Sequence, residues 1–165
     1  MWSPSSASNM PNDRPEPKTD MITRDFIERL IAEAGELVPE YLLNEEDAIR
    51  AQGGCSICII DAEGNVHGKM FGTAPIQMRE TYRIAWVKAS QVHITGYPTG
   101  EFEKLAFNGE IDERQFGIRR PDYIGWQGGI PLVTKSGTKL SAAFSGFRGV
   151  SDVEILQRAF ARIDQ

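Results

Sequence analysis

Four short β-prone runs, arriving as two pairs with a helix-patterned stretch between them, leave this chain few folds to adopt. The first pair is Cys55–Ile60 and Val66 to about Phe71. Asp61-Ala62-Glu63-Gly64-Asn65 joins them with the residues that hairpin turns favour. The second pair is Ile130–Val133 and Leu140–Phe144, joined by Lys135-Ser136-Gly137-Thr138. Between the pairs, Tyr82, Ala85, Trp86, Ala89, Val92 and His93 recur at spacings of three and four, which predicts a helix from Ile76 to about Thr95 with these residues on its apolar face. So few strands, interleaved with helices, predict an α+β domain in which an antiparallel sheet is flanked by helices.

The remaining segments fit around that sheet. Thr23 is placed as an N-cap with Asp25 in the first turn, and Ile22, Phe26, Leu30, Ile31 and Ala34 then share one helical face. Pro39 is expected to end or kink this helix near Val38. A second helical piece runs from Tyr41 to Ala51 and closes at Gln52-Gly53-Gly54. Glu101 to Phe107 reads as a short helix. Residues 108–127 read as a long, unpatterned loop carrying Phe116, Tyr123 and Trp126, which suit a pocket wall or, preferably, a subunit interface. Ser151 with Glu154 forms a capping box ahead of a last helix traced by Val153, Leu156, Phe160 and Ile163. Residues 1–20, rich in proline and serine, read as a disordered leader before a single domain over 21–165.

At 165 residues the chain can bury a real core in one domain. Its net charge of -5, with both signs interspersed, supplies no basic block for nucleic acid. No apolar run approaches the roughly 20 residues of a membrane span, and no basic-then-apolar leader is present, so a cytoplasmic protein without membrane partners is expected. The C-x-x-C pair, Cys55 and Cys58, falls on a strand, where residues three apart point to opposite faces. It therefore reads as two small buried residues rather than a redox or zinc pair. No Gly-x-Ser-x-Gly elbow, P-loop or G-x-G-x-x-G motif occurs.

Several segments together resemble one family. Ile59-Ile60-Asp61-Ala62-Glu63-Gly64 is a strand ending in Asp before a turn glycine. Ala85-Trp86-Val87-Lys88-Ala89 carries a Lys-Ala pair on a helix, with Thr81 at a position where a hydroxyl residue is common. Gly128-Gly129-Ile130-Pro131 leads into a strand, and Gly149-Val150-Ser151-Asp152-Val153-Glu154 leads into the last helix. In this order and spacing, from about Thr23 to the C-terminus, they resemble the GlcG/HbpS-like family, also called haem-degrading domains. The resemblance implies an antiparallel sheet flanked by helices, assembled into dimers and higher oligomers up to octamers. Some members of that family bind haem, and others accompany metabolic operons. This chain departs from the pattern in a longer segment between Thr23 and Cys55, in Lys69-Met70-Phe71-Gly72 where an acidic residue is common, and in the long 108–127 loop.

The resemblance singles out Lys88. Among apolar helical neighbours it must snorkel, pair with Asp61, Asp152 or Glu154, or hold an anionic ligand group. Arg148, ahead of a helix N-terminus, is the favoured second anion-binding group, with Arg79, Arg119 and Arg120 behind it. Gly128, Gly129, Thr81 and Ser151 complete an expected ligand-binding set converging near Lys88. His93 and His67, the only histidines, are the candidate axial ligands should haem be the cofactor. The expected function is small-molecule binding by a homo-oligomer, the ligand being haem or a related anion. The alternative is an enzyme acting on a small carboxylate or carbonyl metabolite by acid/base chemistry at Lys88 or a histidine. A structural assembly domain is a third reading.

Overall fold

The computed structural model describes residues 18–119 and 122–165. The elements are α1 (Lys18–Tyr41), α2 (Glu45–Ala51), β1 (Gly54–Ile60), β2 (Val66–Gly72), α3 (Pro75–Thr95), α4 (Thr99–Phe107), β3 (Gly129–Val133), β4 (Lys139–Ser145) and α5 (Gly149–Ile163), with a 3-10 turn at Glu113–Phe116. The two predicted hairpins merge into one antiparallel sheet of order β2-β1-β4-β3. The β1–β4 ladder joins them, from Ser56 opposite Ser145 to Ile60 opposite Ser141. The α+β architecture expected from the strand count is the one observed.

Strand β1 is buried at every position because helices cover both faces of the sheet. Its alternation assigns each residue to a layer. Cys55, Ile57 and Ile59 meet Ile27, Leu30, Leu37, Ile155 and Leu156 of α1 and α5. Cys58 and Ile60 meet Ala85 and Ala89 of α3. Each fully buried Ile or Leu stabilises by about 1.5–3 kcal/mol. The two cysteines thus serve opposite layers and form no disulfide. Burial pushes the Cys55 thiol up to about 12 and the Cys58 thiol up to about 11, so neither is a thiolate at neutral pH. No cluster of metal-binding side chains occurs among the described residues.

Several boundaries differ from the sequence reading. Helix α1 begins at Lys18, so Thr23 lies inside it rather than capping it, and the expected leader loses residues 18–20 to the helix. Residues 1–17 lie outside the described residues. Pro39 does not end α1 near Val38. It sits in the final turn, where only the bond its own N–H would have made is lost, and the helical bond from Leu42 N–H to Val38 O is present beyond it at 3.1 Å. Gly35 opens a gap in the middle of the same helix. A Cβ there would meet the Phe71 ring at 2.9 Å, so this glycine admits Phe71, which stacks on Phe144 at 6.3 Å.

Within the 108–127 segment, Phe116, Tyr123 and Ile124 are held by α3 and α4. Phe116 and Tyr123 pack edge-on against Phe102 of α4, at 5.6 and 5.3 Å between ring centres. Gln91 of α3 makes two hydrogen bonds to the Ile124 backbone, at 2.9 and 2.8 Å.

The start of α5 also corrects the sequence. Ser151 is not its N-cap; the cap position is Arg148, which makes no side-chain capping bond. Asp47 of α2, 1% exposed, supplies the missing acceptor from across the chain. It accepts from Arg148 N–H at 2.9 Å, from Arg148 Nε at 3.0 Å and Nη2 at 3.2 Å, and from Ser151 Oγ at 2.8 Å. Burial works to raise the Asp47 pKa, but these bonds outweigh it and hold the carboxyl below its ordinary 3.8. Replacing Asp47 by Asn should cost about 2–4 kcal/mol, because Arg148 and Ser151 lose a shared anion. Because the folded pKa is depressed, this contribution is complete above 3.8 and disappears as pH falls through the folded value. Denaturant midpoints of wild type and Asp47→Asn should therefore differ at neutral pH and converge in acid. Equal midpoints at neutral pH would refute the assignment.

Candidate functional site

The buried stripe of α3 is half polar. Its inward positions are Thr81, Ala85, Lys88, Val92 and Thr95, with Ala89 and Gln91 beside them. Trp86 and His93, assigned to the apolar face from sequence, point outward, and Trp86 is 47% exposed. Lys88 can take a core position because its charge is met. Its Nζ donates to Phe144 O at 3.0 Å and to Asp152 Oδ2 at 3.1 Å. Asp152, in the first turn of α5, also accepts from Phe147 N–H at 3.0 Å. Of the three carboxylates considered for Lys88, Asp152 is the partner.

The Gly-Gly pair makes this arrangement possible. Gly128 has φ +123, and a Cβ there would lie 2.5 Å from Lys88 Nζ and 2.7 Å from Phe144 O. A Cβ on Gly129 would meet Thr99 at 2.7 Å. Both glycines thus let the strand lead-in pass directly over the lysine.

Electrostatics are finely set at this pair. Burial lowers the Lys88 pKa against the attraction of Asp152. Burial pushes Asp152 up to about 7, against Lys88 and the Phe147 N–H. The two shifts run toward each other, the lysine downward and the carboxyl upward.

The pair lies at the wall of a cavity of about 390 Å³. Thr81 contributes from α3, its Oγ1 2.9 Å from Ser56 Oγ. Gln77 enters from the start of α3, and Trp126 and Gln127 enter from the end of the long loop. Two further residues come from the end of α2: Arg50 and Gln52. Gln52 has φ +47, the one positive φ of a non-glycine among the described residues. Arg50 forms an ion pair with no carboxylate among the described residues. Sequence reasoning passed over it. The signal was a lone arginine in the last turn of a helix that closes at Gln52-Gly53-Gly54, and nothing local marks such a residue as unpaired.

The other expected site residues are distributed elsewhere. Arg148 and Ser151 are engaged by Asp47. Arg79 is exposed beside Glu80, Arg119 is exposed, and Arg120 lies outside the described residues. His93 lines a separate depression of about 430 Å³ walled by Val92, Leu132 and Leu140, with Lys139 at its side. His67 lines a third, with Arg24 and Glu28. Its Nε2 is buried without a hydrogen-bond partner among the described residues, 3.6 Å from Asp61 Oδ2. Asp61 itself accepts from Glu63 N–H and from the backbone and side chain of Asn65. The expected single pocket, combining a histidine with Lys88 and Arg148, therefore divides into separate places.

No protein-family model matches the sequence, and no curated protein sequence matches it. Solved structures do. A double mutant of Streptomyces reticuli HbpS superposes with a TM-score of 0.55 at 16% identity, over 100% of this chain and 99% of that one. The PduOC:heme complex gives 0.59 at 18% identity, over 85% and 93%. The Klebsiella pneumoniae protein ORFY, assigned to DUF336, gives 0.56 at 15% identity, over 83% and 86%. At these identities the likeness is one of fold. The chain has the GlcG/HbpS-like α+β fold that its motifs resemble.

Proposed function

We propose that this protein binds a small anionic molecule in the cavity beside Lys88 and Asp152, with Arg50 holding the anionic end. The observation that carries this reading is Arg50, without a carboxylate partner among the described residues, sharing a cavity with a buried lysine–carboxylate pair. Lys88 and Asp152 neutralise one another, so Arg50 supplies the cavity's surplus positive charge. Thr81, Gln77 and Gln127 offer neutral hydrogen bonds along the way. Titration calorimetry with pyruvate and other short carboxylates should show saturable binding. Arg50→Gln should weaken it about tenfold, the loss expected for one charge-assisted contact. Binding unchanged in that variant, or absent for every acid tried, would defeat the reading.

Haem is a second reading, supported by the fold shared with the PduOC:heme complex. Lys88's cavity suits it poorly, because its lining holds no histidine, cysteine or methionine. The depression at His93 fits better. It joins an exposed imidazole to an apolar wall of Val92, Leu132 and Leu140, and Lys139 can face a propionate. A haem titration should give a Soret band that His93→Ala abolishes and His67→Ala leaves in place. The same band in all three proteins would remove the assignment.

The same reading has the protein cytoplasmic and self-associated. Ile76, Trp86 and Ile94 are exposed at 82%, 47% and 47% on α3, and edge strand β2 exposes Val66 and Met70. No helix among the described residues is long and apolar enough to cross a membrane. Light scattering should report an oligomer that Trp86→Glu reduces; an unchanged mass would place the contact elsewhere.

A further inference from the structure

Most of the molecule's polar groups are explained by the fold. The cysteines are locked in the core, Asp47 is spent on Arg148 and Ser151, and Asp61 is spent on its own turn. Lys88 and Asp152 are different. A structural ion pair of this kind is ordinarily sealed among neighbours, and it contributes little compared with apolar residues of the same volume. Here both side chains, each 3% exposed, line a cavity, and Gly128 places no side chain over the amine.

We propose that Lys88 forms an imine with the carbonyl carbon of a small oxo acid whose carboxylate is held by Arg50. This rests on the cavity reading above and adds the substrate class and a covalent step. The three groups the reaction needs are present. Arg50 fixes the acid end, Lys88 supplies a primary amine, and Asp152 stands 3.1 Å from that amine as the proton donor. Burial supports both roles, since it favours the neutral amine and the protonated acid.

The step balances without a further reactant. The Lys88 nitrogen lone pair adds to the carbonyl carbon, and the C=O π pair moves to oxygen. A proton passes from nitrogen to that oxygen, giving a carbinolamine. The Asp152 carboxyl then protonates the hydroxyl, which leaves as water while the C=N bond forms. The product is an iminium ion beside the Asp152 carboxylate, so the buried site exchanges one ion pair for another. The 3.0 Å bond from Lys88 to Phe144 O holds the amine in place before attack.

The test uses the whole protein with pyruvate or levulinate and sodium cyanoborohydride, which reduces an imine to a stable secondary amine. Peptide mass mapping then reads the labelled lysines. Lys88 should be labelled ahead of the exposed Lys69, Lys104, Lys135 and Lys139, which serve as internal references. Arg50→Gln, which leaves the buried pair untouched, should lower Lys88 labelling about tenfold and leave the reference lysines unchanged. Labelling of the reference lysines without Lys88 would overturn the imine. If calorimetry still showed Arg50-dependent binding of the same acids, the anion-binding reading would stand while the covalent step fell. If no acid bound at all, both would fall together.

Discussion

The Lys88–Asp152 pair is the interaction on which the arrangement of this molecule turns. It ties α3 to α5, and through Phe144 O it ties both to β4. Two buried charges so close to the sheet impose conditions on everything near them. The lead-in to β3 must be glycine, because a Cβ at 128 would occupy the space of the amine. The Phe147 N–H must turn toward Asp152 instead of continuing the β4 ladder. The α3 stripe must then pass over β1 on small residues, Ala85 and Ala89, so that the lysine can reach the end of β4.

Asp47 has a parallel part at the start of α5. By capping α5 from α2, it fixes where the helix carrying Asp152 begins. The same contact decides which arginine is available to a ligand. Arg148 is consumed by a carboxylate 101 residues away in sequence, while Arg50, one turn beyond that carboxylate on α2, is left facing the cavity. The two arginines are chemically equivalent. Only the long-range pairing separates a structural cation from a candidate ligand-binding one.

This explains what the sequence disclosed and what it hid. The sheet was legible because hairpin chemistry is local: Asp61-Ala-Glu-Gly64-Asn65 and Lys135-Ser136-Gly137-Thr138 each act on their own flanking strands. The opposite facing of Cys55 and Cys58 followed from period two alone. Helix α3 was harder, since its inward stripe places Thr81, Lys88 and Thr95 where apolar residues are expected, and it leaves Trp86 outside. Hydrophobic periodicity reports transfer energy, and here satisfied hydrogen bonds override it. Ser151 misled for a related reason: a capping box is a local pattern, and the Ser151 hydroxyl instead donates to the distant Asp47 at 2.8 Å.

A buried amine in contact with a buried acid has a definite chemical consequence, even apart from any ligand. Each group alone would shed its charge, the lysine by losing a proton and the carboxylate by gaining one. Together they offset one another's burial, Lys88 donating to Asp152 at 3.1 Å, so the pair's charge responds to what enters the cavity. An anion near Arg50 adds negative potential, favouring protonation at the pair. A carbonyl carbon instead draws on the nitrogen lone pair, leaving the proton to the carboxyl. Glycine at 128 permits that approach, Asp47 fixes the helix that carries the acid, and the unpaired arginine selects the charge of what comes in. The features that hold this fold together are thus the ones that leave its single buried lysine open to chemistry among the described residues.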